Sequence, residues 1–327
     1  IPQRWEEYTS YTIDGETFDL HDYIKAFCAE KGIMSQLIRE KTVQDYNQKC
    51  QIHWWLSLSF YVKSFRTPWI LANSDNTTAF AGLGYSVDSK VDSNGHIVLG
   101  CSHIYSSSGE GLKFKLARIS NDKIQWRHRK PHLCYDDAYE FGKNIIELFY
   151  ESMNELPKRV VIHKRTYFTE EEKQGIIDSI SDNNKLESID LIEINFEDNI
   201  KYTSSKIVEG KACVDGFSVS RGSCILLNSK EALLWAHGVV PSVRNPNFSF
   251  YPGGRYIPKP LRIIKHYGVG SLEQIANEIL GLTKMNWNSL NMYSQLPATI
   301  CSSNDIARIG KLIDSNSKHE YDYRYFI

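Results

Sequence analysis

The sequence has little of several features that would point to a function at once. No run of apolar residues approaches the roughly 18 that cross a bilayer, and the opening "IPQRWEEYTS" has neither the basic nor the apolar segment of a secretory signal. The seven cysteines are an odd number, widely scattered, without a CxxC pair or zinc-ligand spacing. We therefore expect a cytoplasmic protein with no membrane partner, whose cysteines are reduced and mostly buried.

A strong charge of either sign is absent as well. The net charge is −1, so the whole chain does not have the charge of a typical nucleic-acid binder. Basic residues nevertheless cluster at 113–130, 157–165 and 253–268, with aromatic or apolar residues between them. Such clusters can contact phosphates, although each one alone is more typical of a solvated strand edge or loop. With 327 residues, 42% of them apolar, the chain can form about two domains.

Hydrophobic spacing predicts the main elements. Thr169 and Glu172 have the spacing of a helix-starting capping box, and Asn94-Gly95 is a hairpin signal. We predict helices at 17–31, 135–156, 169–180, 271–282 and 303–314, and strands at 78–87, 96–106, 111–119, 158–164 and 191–196; residues 51–65 suit a helix or a strand. Three antiparallel strands followed by alternating helices and strands are the order of a ribonuclease H-like α/β domain. The polar stretch that follows Pro68 predicts a domain boundary near residue 74.

One strand lacks the residue that such a domain needs for catalysis. Ribonuclease H folds usually deliver a metal-binding Asp from their first strand, but the inward positions of "GLGYSVDSK" (82–90) hold no acid. The sequence therefore raises the question of whether this protein cuts a nucleic acid.

Three stretches resemble the short prokaryotic Argonautes, which consist of a MID and a PIWI domain. They are "SFRTPW" (64–69), "RVVIHKRTYFTEEE" (159–172) and "EILGLTKMNWNSLNMYSQLPATI" (278–300). The resemblance implies a partial, Rossmann-like MID domain over 1–74 and a PIWI domain of ribonuclease H-like fold over 75–327. The first strands and helix of a complete MID domain are not found after Ile1, so we expect a partial chain.

The resemblance implies a pocket for the 5′-phosphate of a guide strand. The matching residues are His21, Lys25, Gln36 and Lys63. His21 and Lys25 are one helical turn apart, so their side chains are expected on one face. Ser59 stands where some relatives have another lysine. The resemblance also implies that the carboxylate of Ile327 enters the pocket, with a Mg²⁺ ion that helps to hold the phosphate. The alternative is a tail that simply packs on the PIWI surface.

The resemblance also identifies the positions of the catalytic metal ligands. Gly84, Arg165 and Asn304 stand where active relatives have Asp, Asp, and Asp or His. The ligands are therefore expected to be lost. Lys164 and Arg165 are instead expected to contact phosphates of the guide–target duplex. An equal alternative for Arg165 is that it pairs with a buried carboxylate. Replacement of the lost ligands by displaced acids is disfavoured, because the nearby acids lie in turns: Asp88, Asp92, Glu110 and Asp305.

These features together predict a catalytically inactive protein that binds a 5′-phosphorylated guide RNA and recognises complementary single-stranded DNA. The resemblance implies a partner protein with an APAZ region and an effector domain. A TIR domain is the first expectation for the effector, and a sirtuin or a nuclease is the alternative. The expected role is prokaryotic defence against plasmids and phage, with higher oligomers on activation. The alternatives are an active guided nuclease with displaced carboxylates and a scaffold that does not bind nucleic acid.

Overall fold

The computed structural model describes most of the chain in segments. These are residues 1–13, 16–44, 47, 49–72, 77–86, 96–101, 106, 113–120, 125–127, 130–181, 186–202, 205–214, 219–240, 257–288, 293–313 and 320–326. The helices are α1 Leu20–Glu30, α2 Glu40–Gln44, α3 Lys49–Lys63, α4 Tyr135–Met153, α5 Glu170–Ser181, α6 Leu272–Leu282 and α7 Ala298–Gly310. Within the described segments, no helix combines the length and the apolar character needed to cross a bilayer.

The strands occur in runs between these helices, and single strands alternate with helices only around α4 and α5. They are β1 Ser10–Ile13, β2 Glu16–Asp19, β3 Thr78–Ser86, β4 His96–Cys101, β5 Lys113–Ser120, β6 Gln125–Arg127, β7 Lys130–His132, β8 Arg159–Lys164, β9 Ser188–Phe196, β10 Ser205–Val208, β11 Lys211–Val214, β12 Cys224–Leu226, β13 Glu231–Leu234, β14 Leu261–Tyr267 and β15 Glu320–Asp322. Nine of the described strands form one mixed sheet in the order β12-β13-β14-β9-β8-β3-β4-β5-β15. The pairs β3–β8 and β8–β9 are parallel, and the other neighbours in this sheet are antiparallel.

Strand β3 is covered on both faces, because its side chains alternate between two helical layers. Ala79, Ala81 and Leu83 pack in the apolar cluster that includes α4 and α5. Phe80 packs in the other cluster, which contains residues of α6 and α7 and also of α1 and α3. The N-terminal helices therefore share a core with the large sheet.

Most of the predicted helices and strands lie where the structure has them, within a few residues at each end. The ambiguous segment 51–65 is helical, as α3, and helix α7 begins five residues before the predicted 303, directly after Pro297. The Asn94-Gly95 hairpin lies outside the described residues, as do residues 73–76, and the domain boundary near 74 stays a prediction. The cysteine prediction is wrong in part. The six cysteines whose side chains the structure describes are free, but three are exposed and three are half-buried.

A buried carboxylate joins α5 to the sheet. Glu172 has the predicted capping-box bonds: its backbone N–H donates to Thr169 Oγ1 (3.2 Å) and its Oε2 accepts from the Thr169 N–H (3.0 Å). Its Oε1 also accepts from Lys164 Nζ (2.5 Å) and from the Leu133 N–H (2.8 Å). Burial alone would raise the pKa of Glu172, but the bond from His132 and the charge of Lys164 lower it from 4.5 to about 2.

We expect Glu172→Gln to destabilise the fold by about 3–5 kcal/mol, because it leaves the Lys164 charge buried without a counter-charge. In the wild type, the folded-state pKa lies below the unfolded one, so this contribution is complete above about pH 4.5 and is lost as the pH falls towards 2. Urea unfolding of both proteins between pH 3 and 7 checks both points. The matched control is Glu170→Gln, an exposed carboxylate in the same helical turn, and an equal loss in both variants would contradict the assignment.

Candidate nucleic-acid interface

Lys25, Gln36, Ser59 and Lys63 come together between α1 and α3. Ser59 and Lys63 are one turn apart on α3, and Gln36 lies in the extended segment that joins the two helices. Lys63 Nζ donates to Gln36 Oε1 and to Ser59 Oγ (2.9 Å), and Ser59 Oγ donates to Gln36 Oε1 (2.5 Å). Lys25 Nζ donates to the Ser35 carbonyl (2.7 Å). We call these four residues the lysine pocket.

The two ammonium groups of the lysine pocket are neighbours and are buried, with Lys25 1% and Lys63 8% exposed. Burial lowers the pKa of Lys25 to about 8. Burial and the nearby charge of Lys25 lower the pKa of Lys63 to about 7. Lys63 is bonded to neutral oxygens. An anion bound between the two lysines would relieve their repulsion and favour the charged form of both.

The described bonds of His21 go to Asp19 and Asp22, outside the lysine pocket. His21 lies in the first turn of α1, where Asp19 caps the helix by accepting from the His21 N–H (2.8 Å). The imidazole is half-exposed and its Nδ1 donates to Asp22 Oδ1 (3.1 Å). It lines a separate cavity of about 290 Å³ with Leu37 and Arg39. Two lysines and Gln36 therefore converge as predicted, Ser59 joins them, and His21 stands apart.

Asp22 connects this region to the large sheet. It is buried and forms an ion pair with Arg308 of α7. Burial would raise the pKa of Asp22, but the bonds from His21 and Arg308 lower it. The sequence gives no sign of this pair, because its members are 286 residues apart and neither belongs to a local motif.

The described part of the pocket does not fit a metal ion. Its amide oxygen, Gln36 Oε1, already accepts from Lys63 and Ser59, and ammonium groups would repel a cation. The ligand atoms of Asp19, His21 and Asp22 lie within 4.8 Å of one another, but Asp22 is already paired with His21 and Arg308. Ile327 lies outside the described residues, so the Mg²⁺ expectation, which depends on its carboxylate, stays a prediction.

At the predicted catalytic positions, helix α7 occupies the space that a carboxylate would need. A Cβ at Gly84 would lie 2.5 Å from the carbonyl oxygen of Ser303, and a Cβ at Gly82 would lie 2.2 Å from that of Thr299. Atoms of side chains do not approach backbone so closely. Asn304 is exposed on α7. Position 84 therefore lacks a ligand and also the room for one.

Arg165 follows β8 and is half-buried. Its Nε donates to Asn195 Oδ1 over 3.5 Å, and its guanidinium lies 5.0 Å above the ring of Phe196. Burial lowers its pKa, with a smaller opposing contribution from Cys301. None of the described carboxylates contacts it, so the reading of Arg165 as partner of a buried carboxylate finds no support in the described residues.

Lys164 corrects a prediction. It is fully buried, and its ammonium group is paired with Glu172. It is therefore not available to a nucleic-acid phosphate. Among the acids considered as replacement ligands, Asp305 lies in helix α7 and not in a turn as predicted, with its Oδ1 3.9 Å from a terminal nitrogen of Arg308. Asp88, Asp92 and Glu110 lie outside the described residues.

Comparison with solved structures identifies the fold. The chain matches Clostridium butyricum Argonaute bound to a guide DNA and a 19-mer target DNA with a TM-score of 0.65 and 20% identity, over 93% of this chain and 37% of that one. It matches Aquifex aeolicus Argonaute with a TM-score of 0.62 and 21% identity, over 94% and 39%. The chain thus has the MID and PIWI fold of Argonautes, ribonuclease H-like as predicted, and spans less than two fifths of their length. No protein-family profile and no curated protein matches the sequence.

We expect Gly84→Ala to destabilise the fold by about 2–3 kcal/mol, because the new methyl group must push α7 off β3. Gly210→Ala serves as the control: it meets open space and strains only a backbone with φ of +76°, at a cost of about 1 kcal/mol. Chemical unfolding compares the two. A smaller loss for Gly84→Ala than for Gly210→Ala would mean that α7 adjusts readily.

Proposed function

We propose that this chain is a guide-binding module that holds a 5′-phosphorylated guide RNA and recognises complementary single-stranded DNA without cutting it. The observation that carries the proposal is the pair of buried lysines, Lys25 and Lys63, in the N-terminal part of an Argonaute fold. The Clostridium butyricum structure contains a guide and a target, which supports nucleic acid as the ligand here.

A terminal phosphate suits the lysine pocket better than an internal one. Near neutral pH a phosphate monoester approaches two negative charges, whereas a phosphodiester in the backbone has one. Two adjacent ammonium groups are balanced by the former, and charge-assisted bonds are the stronger ones. Gln36 and Ser59 would hold Lys63 in place as the phosphate binds.

The geometry at positions 82–84 supports a groove that does not cleave nucleic acid. Two-metal cleavage requires several carboxylates that hold the ions about 3.5–4 Å apart. Gly84 offers none, and α7 fills the space beside it. Arg165 adds a fixed positive charge close by. A guanidinium with neutral neighbours is suited to a duplex phosphate, a contact that fixes position while base pairing to the guide reads the sequence.

A binding module of this kind needs a second protein to produce an effect. We propose that target binding activates a partner with an APAZ region and a TIR or other effector domain, in defence against plasmids or phage. The physical requirement is differential affinity, because the target-bound form must bind the partner's active arrangement better than its resting one.

We expect Lys63→Gln to weaken 5′-phosphorylated guides by about ten- to a hundredfold and 5′-hydroxyl guides far less, because a charge-assisted bond contributes about 1.5–3 kcal/mol. The wild-type preference should also fall as the pH rises above about 7, where Lys63 loses its proton in the free protein. Titration of labelled RNA and DNA guides between pH 6 and 9 measures both effects.

The matched control is Lys31→Gln, an exposed lysine just after α1, which should leave the phosphate preference unchanged. Equal losses for both guide types in Lys63→Gln would show that Lys63 contacts backbone only, and the pocket assignment would then be wrong.

With Mg²⁺ or Mn²⁺ present, we expect guide-loaded protein to leave end-labelled complementary DNA intact, since the ligands are missing at Gly84, Arg165 and Asn304. Arg165→Gln should weaken target binding by several-fold. The slope of log affinity against log salt concentration should fall by the amount expected for about one phosphate contact. The control is Arg262→Gln, whose guanidinium is already paired with Glu231 (2.8 Å).

The same incubation is repeated with the protein encoded beside this one. Target-triggered activity that appears only with this neighbour supports the proposal. Guided cutting by this chain alone would instead establish the rival function, a nuclease with displaced carboxylates.

A further inference from the structure

Arg165 belongs to a polar network that spans three neighbouring strands of the sheet. The network runs from Arg165, directly after β8, to Asn195 and Glu193 on β9 and then to His266 on β14. Glu193 and Asn195 are two residues apart in a strand, so their side chains lie on one face. The sequence shows none of this order, because polar residues inside a buried strand carry no motif.

Glu193 determines which way the Asn195 amide faces. Asn195 Nδ2 donates to Glu193 Oε1 over 2.6 Å, and the other carboxylate oxygen is 2.8 Å from His266 Nε2. A carboxylate accepts hydrogen bonds and does not donate them. The amide nitrogen must therefore face Glu193, which leaves the amide oxygen, Oδ1, facing Arg165 Nε at 3.5 Å.

This arrangement holds Arg165 without neutralising it. Its described neighbours include an amide oxygen, the ring of Phe196 and the Cys301 thiol, whereas a carboxylate would have cancelled the charge. Because Nε is engaged, the two terminal nitrogens form the free end of the guanidinium, with no partner among the described residues. Two parallel N–H groups match the geometry of a phosphate.

We propose that Asn195, oriented by Glu193, is a positioning residue that holds the Arg165 guanidinium for a phosphate of the guide–target duplex. The proposal rests on the proposed function. It adds the residues that orient Arg165 for its contact with the duplex phosphate. A merely structural Asn195 would stabilise the sheet face whether or not Arg165 is present, so the two roles differ in a double-mutant cycle.

The experiment measures the dissociation constant of labelled complementary DNA for guide-loaded wild type, Asn195→Ala, Arg165→Gln and the double variant. We expect Asn195→Ala to weaken binding by about three- to tenfold and to have no further effect in the Arg165→Gln background. Glu193→Gln keeps the shape but frees the amide to turn its nitrogen towards Arg165, and should weaken binding to a similar extent only when Arg165 is present.

The control is Asn199→Ala, an exposed asparagine shortly after β9, which should leave target binding unchanged. Thermal unfolding of every variant verifies that it is folded, and Glu193→Gln supplies the isosteric test if Asn195→Ala does not fold. The same loss on removing Asn195 with and without Arg165, or no loss in either, would overturn the positioning role.

Failure of the proposed function has a different signature. If guide-loaded wild type does not bind complementary DNA, the proposed function fails before any variant is compared, and this inference falls with it. If the wild type binds but Arg165→Gln has no effect, the Arg165 contact and its positioning fail, while guide loading, tested through Lys63, stands.

Discussion

Helix α7 lies directly on strand β3, and the position of the lysine pocket beside the large sheet depends on that packing. Gly82 and Gly84 let the helix backbone approach the strand with no side chain between them, close to the carbonyls of Thr299 and Ser303. Because α4 and α5 cover the other face of β3, the helix has one place to lie. Its outer side then meets α1 through the Arg308–Asp22 ion pair, which brings the lysine pocket beside the sheet.

Four of the described buried or half-buried cations differ in the kind of partner they have. Lys164 is bonded to Glu172, and Arg159 to Asp190 (2.8 Å) and Glu278. Such pairs are complete, and their charges support the fold. Lys63 and Arg165 instead have neutral oxygens as acceptors. Burial lowers the pKa of Lys63 and of Arg165. It also lowers the pKa of Lys164, although Glu172 opposes that shift. The identity of the partner, more than the density of positive charge along the sequence, separates a structural cation from one that can take an anion.

The same difference between structural and available cations bears on which features could be predicted from the sequence. Periodic spacing gave α4 and the buried β8, and local chemistry gave the capping box at Thr169, because these signals lie within a few residues of each other. Lys25, Gln36 and Lys63 came from resemblance and do converge. Lys164 was assigned wrongly, since a strand buried on both faces has no alternation that tells which of its polar residues is enclosed.

Contacts between distant segments could not be predicted in the same way. Asp22–Arg308 and Arg159–Glu278 depend on how the helices lie against the sheet, and pairwise chemistry alone allows many other partners. The start of α7 was placed too late because "ATICSS" (298–303) is rich in small and polar residues, whereas Pro297 is a favourable residue at a helix start. The orientation of Asn195 follows only from its contact with Glu193.

The ion pair between α1 and α7 has a consequence for how a bound strand would be measured. It joins the helix of Lys25 to a helix that is packed on the sheet without intervening side chains. Packed elements, α1, α7 and the large sheet, therefore connect the lysine pocket to Arg165. If a guide is anchored at its first phosphate, the distance from the lysine pocket to Arg165 fixes which nucleotide step lies at Arg165. That step would be the same for every guide, whatever its base sequence.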